Sequence, residues 1–164
     1  MSLHQELLPV LVEDIRSYHE ACAIVLIGSV ARGQERPESD IDLNIFLPEG
    51  DAISHASPYV DHDNRWQLRV KSKMRGVRID VAWETYQGLK ERLRRDGPIN
   101  CWPFSNGVVL YDCSEAVAPC LHLARTWFEE RPEVAERIER EYLKAKQRQI
   151  RERATEGGQA DLSR

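Results

Sequence analysis

Between residues 23 and 47 the chain writes two strands under opposite rules. AIVLI, Ala23–Ile27, is apolar at every position, so both of its faces must be covered, and such a strand belongs inside a sheet. Residues 40–47, DIDLNIFL, alternate instead. Ile41, Leu43, Ile45 and Leu47 point one way, and Asp40, Asp42, Asn44 and Phe46 the other. The chain is therefore committed to a sheet in which a fully covered strand is followed by one with two carboxylates on a single face. Carboxylates there are costly unless positive charge meets them.

The remaining elements follow from periodicity and punctuation. Leu7, Leu8, Leu11, Val12 and Ile15 recur at helical spacing, predicting a helix over 5–19 that Pro9 either starts or kinks. Gly28 ends the apolar strand, a short helix is expected over 29–36, and Pro37 stops it. Residues 48–64 read as a loop. RWQLRVKSKMRGVRIDVAWET predicts two strands joined near Gly76, with Trp66, Leu68 and Val70 on one face of the first. In the second, Ile79, Val81 and Trp83 are apolar, and Arg78, Asp80 and Ala82 lie opposite. Thr85 is placed to cap a helix running to about Arg95. Residues 108–111 form a short edge strand. From Ser114 the chain is helical, interrupted at Pro119 and restarted at Pro132, with an apolar stripe of Val134, Ile138, Tyr142 and Ala145.

Composition narrows the function. Of 164 residues, 41% are hydrophobic and 30% charged, ordinary for a soluble domain with a real core. The net charge of −4 argues against a protein that lives by gripping nucleic-acid phosphates. No run approaches the roughly 18 uncharged apolar residues of a membrane span, and MSLHQELLPV is not a secretory leader, so a cytoplasmic protein is expected. Cys22, Cys101, Cys113 and Cys120 show no zinc spacing and read as reduced thiols.

Side chains two apart on a strand share a face, with Cα atoms about 6.6 Å apart. Carboxylates so placed can converge on metal ions, which lie about 3.5–4 Å apart in two-metal phosphoryl-transfer sites. Asp80 is the acidic residue in the middle of the later strand pair, and its parity matches that of Asp40 and Asp42. If the strands pair, three carboxylates share one surface, where Mg²⁺ would reverse their mutual repulsion. Without Asp80, a turn cap at Asp40 and an ion pair of Asp42 with Arg69 or Lys71 would account for the pattern. Gly28-Ser29 adds a second component: a glycine at a strand end lets backbone approach a ligand, and Ser29 offers a hydroxyl to a phosphate oxygen. Gly28 and Gly33 have P-loop spacing, but Gln34 stands where that loop needs lysine.

Ile27-Gly28-Ser29, then Asp40-Ile41-Asp42-Leu43, then Ile79-Asp80-Val81 resemble the signature of the DNA polymerase β-like nucleotidyltransferase superfamily, over roughly residues 20–85. The likeness is to its small bacterial branch of minimal nucleotidyltransferases and antibiotic adenylyltransferases. It implies an α+β fold, a small mixed β-sheet with helices packed on one face, followed by a C-terminal helical extension. It implies transfer of a nucleoside monophosphate from a Mg²⁺-bound triphosphate, ATP by family precedent, to a hydroxyl with release of pyrophosphate. By position, Asp40 and Asp42 would bind two Mg²⁺ ions, Asp80 would bind the acceptor-side ion and take the hydroxyl's proton, and Gly28 and Ser29 would hold the β- and γ-phosphates. Arg32 and Ser39 are further candidates for the nucleotide.

The expected organisation is a catalytic domain over 1–113, a helical extension over 114–154 and a frayed tail over 155–164. The acceptor is not written in the chain. Larger relatives carry a further helical domain, so this chain pairs as a homodimer, acts on a small molecule or partner protein, or is a piece of something larger. The alternative reading is an antitoxin-like module that neutralises a HEPN-type toxin by binding or adenylylation. Six basic residues over 140–153 (Arg140, Lys144, Lys146, Arg148, Arg151 and Arg153) form either a solvated face or a docking strip. His55 and His62, irregularly spaced in the loop, read as solvated rather than as zinc ligands.

Overall fold

The computed structural model describes residues 2–18, 21–47, 68–95 and 101–160. In chain order these form α1 (Leu3–Tyr18), β1 (Ala23–Ile27), α2 (Gly28–Ala31), β2 (Ile41–Leu47), β3 (Leu68–Met74), β4 (Val77–Thr85), α3 (Tyr86–Arg95), α4 (Trp102–Ser105), β5 (Val108–Asp112), α5 (Val117–Glu129) and α6 (Pro132–Ala160). The chain divides into two compact units, residues 1–127 and 128–164. The expected loop over 48–64, with His55 and His62, lies outside the described residues, as does Trp66.

The first unit is α+β, built on one mixed five-stranded sheet of order β3-β4-β2-β1-β5. β1 lies between β2 and β5, antiparallel to both, and its first four residues are buried, as an all-apolar strand requires. Among the described residues, β5 and β3 are the edges. β2 and β4 run parallel, and β3 folds back on β4 through Arg75-Gly76. Both turn residues have positive φ, +49° and +83°. That two-residue turn matches the twist of a hairpin and sets its register.

Parity divides the core between the two faces of the sheet, and helices cover both faces rather than the single face expected, because β1 and β2 carry apolar residues on each side. On one, Ile24, Leu26, Ile41, Leu43, Ile45, Ile79, Val81 and Trp83 cluster with Leu7, Leu11 and Ile15 of α1. Each fully buried aliphatic side chain here contributes about 1.5–3 kcal/mol. Helix α1 continues through Pro9, which sits on its exposed side. On the other face, Ala23, Val25 and Phe46 pack with Tyr86 and Leu89 of α3, Phe104 of α4, and Val117, Leu121 and Ala124 of α5. This second cluster meets the end of the sheet where β2 finishes. Phe46 stacks on Tyr86 with ring centroids 5.5 Å apart. The start of β2, with Asp42, lies toward the opposite end of the same face.

Some elements differ from expectation for local reasons. Helix α2 stops at Ala31 because Gly33 adopts φ +63° and its amide donates back to the Val30 carbonyl at 3.1 Å. Helix α5 is not interrupted at Pro119, which falls in the first turn, where a missing N–H costs no helical hydrogen bond. Asp112 caps that helix by accepting the Val117 amide at 3.0 Å. Thr85 does cap α3, its Oγ1 accepting the Gly88 amide at 3.2 Å. Helix α4, in CWPFSN, is too short to carry a period.

In the second unit, α6 begins at Pro132 and runs to Ala160, into the segment expected to fray. Of its predicted stripe, Ile138 is buried, Val134 and Tyr142 are half-buried, and Ala145 is exposed. The Arg140–Glu136 pair at 3.9 Å is solvent-exposed, a type worth about 0–1 kcal/mol. No described helix is long and apolar enough to cross a membrane.

Burial pushes the Tyr86 hydroxyl up to about 12, against the opposing effect of its hydrogen bond with Ser114 Oγ. A raised folded-state value means stability is fully present below the unfolded value near pH 10 and is lost as pH rises toward 12. Denaturant unfolding measured across that window is expected to show this loss. A Tyr86→Phe protein should lack that component.

Candidate active site

The parallel pairing of β2 with β4 sets Asp42 directly opposite Asp80. Neighbouring strands lie about 4.8 Å apart, so opposed side chains on one face meet. Asp40 stands two residues before Asp42 and completes the group. One carboxylate oxygen from each of Asp40, Asp42 and Asp80 lies within 4.8 Å of the others, and all three residues are half-buried. Arg78, two residues before Asp80, donates from Nη2 to Asp40 Oδ2 at 2.7 Å. Arg78 thus pairs an aspartate of the cluster itself.

The antiparallel pairing of β1 with β2 sets Ile27 opposite Asp42, so Gly28 follows at the cluster's edge. Gly28 has φ +77°, and a Cβ on it would overlap Asp42 Oδ2 and come within 3.0 Å of Asp42 Cγ. Glycine is required here both for its backbone conformation and for the approach of Asp42. Ser29 is buried, and its carbonyl accepts the Gln34 amide at 2.9 Å. Val30 joins the core and holds this turn to the sheet.

Arg32 and Ser39 are engaged in other contacts. The Arg32 guanidinium lies over the Trp102 ring, 5.0 Å from its centroid, and Nε donates to Gln34 Oε1 at 3.2 Å. Ser39 is buried, and its Oγ accepts the Arg36 amide at 2.9 Å, the turn-cap arrangement. Lys71 occupies the register position opposite Asp80 on β3, and Arg69 that opposite Ala82.

Two features escape sequence reasoning. Asn44, on the aspartate-bearing side of β2, donates to Glu84 Oε2 at 3.0 Å, with both residues almost fully buried. Parity gave a signal, since Glu84 follows Asp80 and Ala82 on one face, but not the burial. His4 is also buried and bonded to the chain beside Asp40.

Three clustered carboxylates, offset in part by Arg78, form a hard-oxygen donor set of the kind that suits Mg²⁺. Residues 8–104 match the family model of the nucleotidyltransferase domain, more than half of the chain, and the chain belongs to that family. The fold is similar to a crystal structure of a nucleotidyltransferase-like protein from Exiguobacterium sibiricum 255-15, at 13% identity and TM-score 0.48, covering 76% of this chain and 39% of that one. The chain thus spans well under half the length of that protein. A crystal structure of a toxin-antitoxin with AMP-PNP is similar at 12% identity and TM-score 0.39, covering 80% of this chain and 97% of that one. No curated protein matches the chain.

Without metal, Arg78→Ala would leave the three carboxylates less neutralised. It is expected to cost up to about 1 kcal/mol in EDTA, with much of the loss recovered in millimolar Mg²⁺. Thermal unfolding in the two buffers checks both parts.

Proposed function

We propose that this protein transfers a nucleoside monophosphate, AMP from ATP, to a hydroxyl of a small molecule or partner protein, with Mg²⁺ at Asp40, Asp42 and Asp80. The observation that carries this reading is the register pair Asp42–Asp80, joined by Asp40 and closed by a glycine pressed against Asp42. Asp40 and Asp42 would hold two ions, and Asp80 would help to hold the ion on the acceptor side. When bound, Mg²⁺ neutralises phosphate charge and makes the acceptor hydroxyl more acidic. Gly28 leaves room for the β- and γ-phosphates along the backbone, and Ser29 contacts them. A carboxylate oxygen of Asp80 takes the acceptor's proton. The acceptor oxygen bonds to the α-phosphorus as the bond to the β-phosphate bridging oxygen breaks, and pyrophosphate leaves.

The test uses ATP labelled at the α- or the γ-phosphate, Mg²⁺ and candidate acceptors, beside an Asp42→Asn control. Transfer of α-label alone is expected. No transfer and no Mg-ATP binding in any mixture would overturn the enzyme reading.

A second reading, binding of a partner such as a HEPN-type toxin, is favoured by the exposed basic positions of α6, among them Arg140, Lys144 and Arg148. Neutralisation of such a toxin by Asp42→Asn as well as by wild type would support binding without chemistry.

A further inference from the structure

His4 occupies a core position of α1, in helical phase with Leu7 and Leu11, and is only 3% exposed. It differs from those neighbours in reaching across to another segment. Its Nε2 lies 2.9 Å from the Ser39 carbonyl oxygen in a buried contact. A carbonyl oxygen only accepts, so Nε2 carries the proton and donates.

The segment that His4 grips ends at Asp40. Its turn is closed internally, with the Ser39 amide donating to the Arg36 carbonyl at 2.9 Å and the Arg36 amide donating to Ser39 Oγ at 2.9 Å. A second tether runs from the Ser2 hydroxyl to Glu35 Oε1 at 2.8 Å. The Ser39 carbonyl belongs to the peptide unit that also contains the Asp40 amide, so holding that oxygen fixes the plane from which Asp40 departs. Asp40 is thus held from both ends, its carboxylate by Arg78 and its backbone by His4.

We infer that His4 is a positioning residue that sets Asp40 for metal binding, through the buried hydrogen bond from Nε2 to the Ser39 carbonyl. This rests on the reading of Asp40 as a metal ligand. Without the imidazole the buried carbonyl loses its donor, and the peptide unit turns to find another. Asp40 then leaves the position in which its oxygen joins those of Asp42 and Asp80. The other core residues of α1 have no such link, because they pack on the sheet without touching the 35–39 segment through a polar contact.

The experiment measures Mn²⁺ binding to the whole protein by water-proton relaxation, with unfolding curves recorded on the same samples. His4→Leu and His4→Phe keep apolar volume and remove the donor, and whichever folds serves. His4→Gln keeps an N–H able to reach the carbonyl, and Leu11→Ala loosens α1 without touching the tether. Mn²⁺ affinity is expected to fall about 10- to 100-fold in the donorless variants, the range seen when groups that orient metal ligands are removed. It should return to within about threefold of wild type in His4→Gln and be unchanged in folded Leu11→Ala, because neither loses the tether that orients the ligand. Wild-type affinity in a folded donorless variant overturns the inference, as does an equal loss in Leu11→Ala. A wild-type protein that binds no Mn²⁺ overturns the metal reading, and the inference with it.

Discussion

Asp42→Asn is expected to abolish nucleotidyl transfer while leaving the protein folded. Asparagine has almost the same shape, so the cost falls on charge and donor strength rather than on packing. Asp42 faces Asp80 across the β2–β4 pair, and its carboxylate shares a cluster with those of Asp40 and Asp80. Removing one charge relieves repulsion among the remaining two, so the metal-free protein should unfold at the same temperature or slightly higher. Metal ions supply several kcal/mol of transition-state stabilisation. At about 1.4 kcal/mol per tenfold, loss of a shared ligand should lower kcat by about 10²–10³ or more. Acceptor labelling from α-labelled ATP measures the first effect, and thermal unfolding in EDTA the second. A variant with wild-type transfer would remove Asp42 from the site.

Gly28→Ala should damage both stability and activity, and a paired variant separates the causes. Gly28 and Gly33 both have left-handed backbones, at φ +77° and +63°. An L-residue there costs about 1–2 kcal/mol. At Gly33 nothing lies within 4 Å of an added Cβ, so only the backbone cost applies. At Gly28 the added carbon overlaps Asp42 Oδ2, and the carboxylate must move. Gly33→Ala is expected to lose about 1–2 kcal/mol and to retain transfer when folded. Gly28→Ala should lose more stability and also about 10²-fold or more in transfer, because Asp42 is displaced from the other two carboxylates. Denaturant unfolding and the labelling assay, run on both proteins, measure these outcomes. Equal transfer by the two variants would show that the contact with Asp42 does not matter.

Much of the site was legible because strand parity is local. The alternation of residues 40–47 places Asp40 and Asp42 on one face, and the same period assigns Asp80 to the face opposite Ile79, Val81 and Trp83. The glycine after AIVLI marked a place of close approach, which in the fold is against Asp42 Oδ2. Parity alone leaves Asn44 looking like another residue of the aspartate-bearing face. In the fold it is buried against Glu84, because the same face passes under the helical layer two residues beyond Asp42. The guanidinium of Arg32, a candidate for the nucleotide from sequence, lies over Trp102, a contact between distant segments that no local period carries.

By itself the sequence determined which residues of a strand or a long helix share a face, since that depends on neighbours within a few positions. It determined that Asp40, Asp42 and Asp80 have matching parity, and that Thr85 can cap a helix. Only the tertiary structure decided that β2 and β4 run parallel with Asp42 opposite Asp80, that Asp42 presses on Gly28, and that His4 reaches Ser39. Those contacts join residues 14 to 38 positions apart in the chain. Register and direction between strands are chosen by the packing of the whole sheet against its helices, and no local period carries that information.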